Sequence, residues 1–160
     1  MKISHFGVAV RDLKSAEELF ARLLGDSHIH HEEVADQKVR IASFELGDAR
    51  VELTEPTSAD SPISKFLEKR GEGVHHVAFE VENVAKELAR LKAQGFQLID
   101  EVPRPGSHNT LIAFLHPKST NGVLVELCQQ NPLLTKEGAG GGVSSEAGPP
   151  PNPLLLEEGE

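Results

Sequence analysis

His5-Phe-Gly-Val-Ala-Val10 and His76-Val-Ala-Phe-Glu-Val81 decide the fold of this chain: they are two copies of one pattern, set 71 residues apart. Asp12, Leu13 and Phe20 follow the first copy, and Asn83, Val84 and Leu91 follow the second. Further on, Val51-Glu52-Leu53 is echoed by Val125-Glu126-Leu127 at a spacing of 74. A repeat this long, keeping polar residues inside apolar strands, points to two copies of one module built around a shared site.

Outward from these strands, each half reads as strand, helix, then further strands. Leu13, Ala16, Leu19, Phe20, Leu23 and Leu24 form a helical stripe, with Asp12 as its N-cap and Gly25 as its stop. Strands are expected near Ser27–Glu33, Lys38–Leu46 and Ala49–Thr54, with Gly47-Asp48 as a hairpin turn. In the second half, a strand over Val74–Val81 leads to a helix over Val84–Gln94, capped by Asn83 and stopped by Gly95. Short strands are expected near Gln97–Asp100, Thr110–Leu115 and Val123–Cys128. Ser61–Arg70 reads as a linker helix with Pro62 in its first turn. The expected organisation is one domain over residues 1–130, with modules of about 1–56 and 73–130. Residues 131–160 are Gly/Pro-rich and cannot pack a core, so a disordered tail is expected there. Within it, Asn152-Pro-Leu-Leu-Leu156 echoes Asn131-Pro-Leu-Leu134, which reads either as a docking motif or as a frayed terminus.

Strand parity indicates which side chains meet. Successive side chains alternate faces, so Phe6, Val8 and Val10 belong under their helix while His5, Gly7 and Ala9 face the other way. Val77, Phe79 and Val81 cover the second helix, and His76, Ala78 and Glu80 face away. Glu52 and Glu126, each between apolar neighbours, take that same opposite face. A lone strand histidine is more often a hydrogen-bonded core residue, and a lone glutamate between valines usually meets solvent. Four such residues at matched repeat positions instead favour one metal site made by His5, Glu52, His76 and Glu126. Two imidazoles and two carboxylates suit one divalent Co2+, Mn2+, Ni2+ or Zn2+ ion per chain. Such an ion can polarise a carbonyl and stabilise an enolate.

The other histidines are read differently. His28, His30 and His31 are expected at the surface, and His75 on the face opposite His76. His108 and His116 flank loops within reach of a ligand. Cys128 shares the parity of Glu126 and reads as a buried, inert thiol. There is no Ser/His/Asp triad, phosphate-binding glycine loop or zinc-finger spacing.

Composition narrows the function classes. The net charge of −9 argues against general nucleic-acid binding, which rests on neutralising phosphates. No apolar run approaches the ~20 residues of a membrane span. The absence of a signal-peptide core and the single cysteine make a cytoplasmic protein the expectation.

Three segments carry a family resemblance: Asp60-Ser-Pro-Ile-Ser-Lys-Phe-Leu67, Arg70-Gly-Glu-Gly-Val-His-His-Val-Ala-Phe-Glu-Val81 and Leu115-His-Pro-Lys-Ser-Thr-Asn-Gly-Val-Leu-Val-Glu-Leu127. They resemble the methylmalonyl-CoA epimerases of the vicinal oxygen chelate superfamily, over about Lys2 to Gln129. The resemblance implies an α+β fold of two paired βαβββ modules forming a metal-holding cup, commonly as a homodimer. It places the metal ligands on His5, Glu52, His76 and Glu126, with Glu52 where relatives often have Gln. The implied reaction interconverts the epimers of methylmalonyl-CoA by removing and returning the α-proton, with an acyl-CoA as ligand and Glu126 as catalytic base. Some relatives carry a second catalytic glutamate where this chain has Ile41.

Three other functions compete. A glyoxalase-I-type isomerase shares the fold and the ligand set, but the His116-Pro-Lys-Ser119 loop favours the epimerase. A non-heme iron dioxygenase would leave Glu52 without a role. A non-catalytic metal- or ligand-binding protein is the alternative from another class, and fold alone does not separate it.

Overall fold

The computed structural model describes Met1–Asn131, and the tail expected over residues 131–160 lies outside the described residues from 132 onward. The first module comprises β1 (Lys2–Ala9), α1 (Leu13–Leu24), β2 (His30–Val34), β3 (Val39–Leu46) and β4 (Ala49–Pro56). The linker helix α2 spans Pro62–Arg70. The second module comprises β5 (Gly73–Glu80), α3 (Val84–Ala93), β6 (Arg104–Pro105), β7 (Thr110–Leu115) and β8 (Val125–Gln130). No helix among the described residues is long and apolar enough to cross a membrane.

The helices begin where side chains satisfy the free N–H groups of the first turn. Asp12 accepts from the Ser15 amide, Asn83 from the Lys86 amide and Ser61 from the Ile63 amide. Gly25 ends α1 in the left-handed conformation, φ 64°, which glycine adopts without a Cβ penalty.

All eight strands form one mixed, curled sheet in the order β2-β3-β4-β1-β5-β8-β7-β6. Each module pairs its first strand with its last in parallel, β1 with β4 and β5 with β8. The modules join along the antiparallel β1–β5 pair, so the repeat is related by an approximate twofold at the centre of the sheet. The outer face packs on the helices. Leu13 and Ala16 of α1 meet Val10, Ala42, Phe44 and Leu53. Val84, Leu88 and Leu91 of α3 meet Ala113, Leu115, Val125 and Leu127. Leu53 and Leu127 occupy equivalent buried positions, where truncation to alanine typically costs about 2–5 kcal/mol.

The inner face is not symmetric. Helix α2 sets Ile63 and Leu67 against Ala9, Val39 and Ile41 of the first module. The second module contributes Ala78, Ile112, Phe114 and Cys128 to a separate cluster. A pocket remains between them.

Two expectations are corrected here. Phe6 pairs with Val51 and Val77 but is 39% exposed and stands outside the cluster in which Val8 and Val10 pack on α1. The strand expected near Gln97–Asp100 is only a single bridge, Leu98 to Leu115; the residues that pair with β7 as β6 are Arg104 and Pro105.

Candidate metal centre and pocket

The strand register explains how four side chains separated by up to 121 positions meet. Gly7 on β1 has Glu52 as its partner on one side and His76 on the other. Ala78 on β5 is likewise flanked by His5 and Glu126. A small residue between each pair lets the flanking side chains lean over the strand. At Gly7 this is obligatory, since a Cβ there would stand 2.1 Å from Cε1 of His76.

His5 Nε2 and His76 Nε2 lie 3.1 Å apart. Glu126 spans both rings, with Oε1 3.5 Å from His5 Nε2 and Oε2 3.5 Å from His76 Nε2. Glu52 Oε2 is 3.4 Å from the same nitrogen of His5. Each of the other three expected residues thus brings a donor atom within 3.5 Å of His5 Nε2, and His5, Glu52 and Glu126 are buried. This donor set, two imidazole nitrogens with carboxylate oxygens on the same small volume, fits a borderline divalent ion.

The two carboxyls differ in charge state for physical reasons. Burial pushes both upward, but at Glu52 it is outweighed by hydrogen bonding from His108 and the nearby His5 and Arg50, and the carboxyl is held down at about 2. Arg50 Nη2 lies 3.2 Å and His108 Nδ1 3.3 Å from its Oε1. Glu126 has no such close cation among the described residues. Burial, reinforced by the negative charge of Glu52, raises its carboxyl to about 8 against partial relief from Arg104 and Arg50. Burial also lowers His5 to about 4 and His76 well below the usual range, so both rings are neutral and ligand-competent.

Beside the donors, the pocket is lined by Ile41, Thr54, His75, Arg104, Ile112 and Phe114. Arg104 lies over the Phe114 ring, 5.5 Å from its centroid, and is paired with Asp100. His75 corrects the parity expectation. It lines the pocket, packs edge-on against Phe66 and brings Nδ1 to 2.9 Å from His76 Nδ1. Cys128 sits in reach of His5 and Glu126, but burial raises its thiol to about 11, leaving it protonated. His30 and His31 are exposed, and His30 also groups with Glu32 and His108 at the rim.

Sequence reasoning missed Ser4, Arg50 and Arg104. Ser4 and Arg50 reach the donors, and Arg104 lines the pocket. Arg50 precedes Glu52 by two residues on β4, so the same alternation that placed Glu52 could have identified it. Nothing in local periodicity signals Ser4.

Comparisons with known proteins agree with this architecture. The profile of the Glyoxalase/Bleomycin resistance protein/Dioxygenase superfamily matches residues 4–114. The chain is 45% identical over 128 residues to the uncharacterized protein YqjC of Bacillus subtilis, covering 80% of this chain and 91% of that protein. It is 35% identical over 129 residues to mitochondrial methylmalonyl-CoA epimerase of Mus musculus, covering 80% of this chain and 72% of that protein. A variant of Streptomyces coelicolor methylmalonyl-CoA epimerase, solved in complex with 2-nitronate-propionyl-CoA, superposes with a TM-score of 0.78 at 36% identity. That match covers 82% of this chain and 96% of that one. On this fold, this repeat and these matches, the chain belongs to the glyoxalase/bleomycin resistance/dioxygenase superfamily, with relatives named methylmalonyl-CoA epimerase.

Proposed function

We propose that the chain is a methylmalonyl-CoA epimerase that interconverts the two epimers by removing and returning the α-proton. The observation that carries this reading is Glu126: a pocket-lining carboxyl, raised to about 8, set among three other donors. His5, Glu52, His76 and Glu126 would hold one divalent ion. When bound, that ion polarises the thioester carbonyl and so acidifies the neighbouring C–H.

The chain's own groups do the rest. Glu126, once ionised, takes the α-proton; the C–H electron pair moves into the adjacent carbonyl, giving the enolate. A ligating carboxylate is ionised, and the oxygen it leaves free can take the proton and return it. Inversion needs a proton delivered to the opposite face. Ile41 is buried and lines the pocket but has no proton to give, so water or another residue must serve that face. Arg104 offers positive charge to an anionic acyl-CoA, and Ile112 and Phe114 give its acyl part an apolar wall. A homodimer and a cytoplasmic setting belong to the same reading.

The decisive experiment is turnover of methylmalonyl-CoA coupled to a stereospecific mutase, run beside α-proton exchange in deuterated solvent. Wild type should epimerise and exchange, faster from one epimer than from the other. Glu126→Gln should retain some metal, because Gln still offers an oxygen, while losing both activities. Absence of exchange from either epimer in the metal-loaded wild type would overturn the epimerase and make a glyoxalase-I-type isomerase the next reaction to assay.

A further inference from the structure

The β1–β5 junction contains two irregularities, and they are copies of each other. On β1, Ile3 pairs with Phe79 and His5 with Ala78, which leaves Ser4 as an extra residue. On β5, His76 pairs with Gly7 and Val74 with Val8, which leaves His75 as an extra residue. Ser4 and His75 are separated by 71 positions, the spacing that relates His5 to His76. Each module therefore carries a bulge one residue before its cup histidine.

A bulge suspends the alternation of faces and re-aims a side chain. Ser4 and His75 consequently share the inner face with the histidines that follow them. Ser4 Oγ lies 3.0 Å from Nδ1 of His5, and His75 Nδ1 lies 2.9 Å from Nδ1 of His76. In both modules the extra residue meets the Nδ1 side of the ring while Nε2 turns inward. A ring that ligates through Nε2 carries its proton on Nδ1, and an acceptor there fixes both the tautomer and the ring plane. Arg50 Nη2 also approaches His5 Nδ1 at 3.4 Å; a guanidinium only donates, so this longer contact must give way when Nδ1 carries the proton.

Simple packing does not account for His75. A phenylalanine could make the same edge contact with Phe66 without burying polar atoms. Instead Nε2 of His75 is buried and has no hydrogen-bond partner among the described residues, an arrangement that costs stability. The contact from Nδ1 to His76 is what the histidine gains in return.

We infer that Ser4 and His75 are paired positioning residues, each accepting a hydrogen bond from Nδ1 of the following histidine so that Nε2 of His5 and of His76 is presented to a divalent ion. This rests on the metal-binding reading above and extends it to two residues that do not ligate.

The test compares Co2+ affinity, by calorimetry and by the visible spectrum of the Co2+ protein, across variants of the full chain. Ser4→Ala and His75→Phe should each bind Co2+ about 10- to 100-fold more weakly, with an altered spectrum. Ser4→Thr and His75→Asn, which restore an acceptor, should recover most of the affinity. Because His75→Phe alters a buried ring, long-range 15N NMR of the Zn2+-loaded wild type provides a second reading. His5 and His76 should be protonated at Nδ1, and His75 should be bare at Nδ1. Wild-type affinity in both Ser4→Ala and His75→Phe would overturn the positioning role alone, as would metal bonded through Nδ1 of either ring. Conservative variants as weak as Ala and Phe would also overturn it. Failure of the wild type to take up any divalent ion would bring down the metal reading and this inference together.

Discussion

Nε2 of His5 and Nε2 of His76 face each other at 3.1 Å across the junction of two modules. Burial keeps both rings neutral, so one N–H between the two nitrogens satisfies the pair when no ion is present. Glu126 places a carboxylate oxygen 3.5 Å from each nitrogen, so an ion held there would meet both rings, the shared proton shifting to Nδ1 of its own ring.

The purified protein should accordingly bind about one divalent ion per chain. His5→Ala and His76→Ala should each abolish high-affinity binding, as read by metal analysis after dialysis. Metal addition should raise the melting temperature of the wild type and leave that of His76→Ala unchanged. Full occupancy of His76→Ala, with His75→Ala empty, would place the ligand one residue earlier.

Metal uptake should release a proton. At pH 7 the Glu126 carboxyl, raised to about 8, is mostly protonated, whereas the neutral histidines have none to lose. A ligating carboxylate must give up its proton, so about one proton per ion should appear in calorimetry run in buffers of differing ionisation enthalpy. The release should fade above about pH 9, and Glu126→Gln should show none. Equal heats in all buffers at pH 7 would contradict the raised carboxyl.

The stability of the metal-free protein should peak near neutrality. Glu126 titrates higher folded than unfolded, so its contribution is present at low pH and is lost as the pH rises toward about 8. His5 and His75, held near 4, and His76, also lowered, act in the opposite direction. Their contribution is present above their unfolded value of 6.5 and is lost as the pH falls toward 4. Three histidines outweigh one carboxyl on the acid side, leaving a maximum near pH 6.5 with a shallower fall above it. Urea unfolding from pH 5 to 9 measures this directly, and a steady rise through pH 8 would refute it.

Gly7→Ala should damage the site more than the fold. The added Cβ would meet the His76 ring at 2.1 Å, and the ring must move because the strand backbone on either side is paired. A stability loss of about 1–3 kcal/mol is expected from the overpacking, with metal affinity falling at least tenfold. An unchanged affinity would show that the ring can yield without losing its ligand geometry.

Much of this protein was legible in its sequence because the information was local or repeated. Asp12, Asn83 and Ser61 cap helices through contacts two or three residues away, and Gly25 ends α1 by its own backbone freedom. Alternation along β4 and β8, read with the repeat, placed Glu52 and Glu126 on one face with the two histidines. Tertiary structure decided what depends on pairing between distant strands. The bulges at Ser4 and His75 exist only in the register of β1 against β5, so strict alternation sent His75 to the wrong face. Phe6 is 39% exposed despite its parity, and the edge of β7 is shared, with Leu98 bridging Leu115 at one end and Arg104 and Pro105 pairing with Ile112 and Leu111 at the other. The opposite shifts of Glu52 and Glu126 were equally out of reach. Arg50 stands two residues before Glu52 where Leu124 stands before Glu126, a difference already present in the sequence. Only the fold, however, brings His108 to Glu52 and buries Glu126 without a close cation among the described residues.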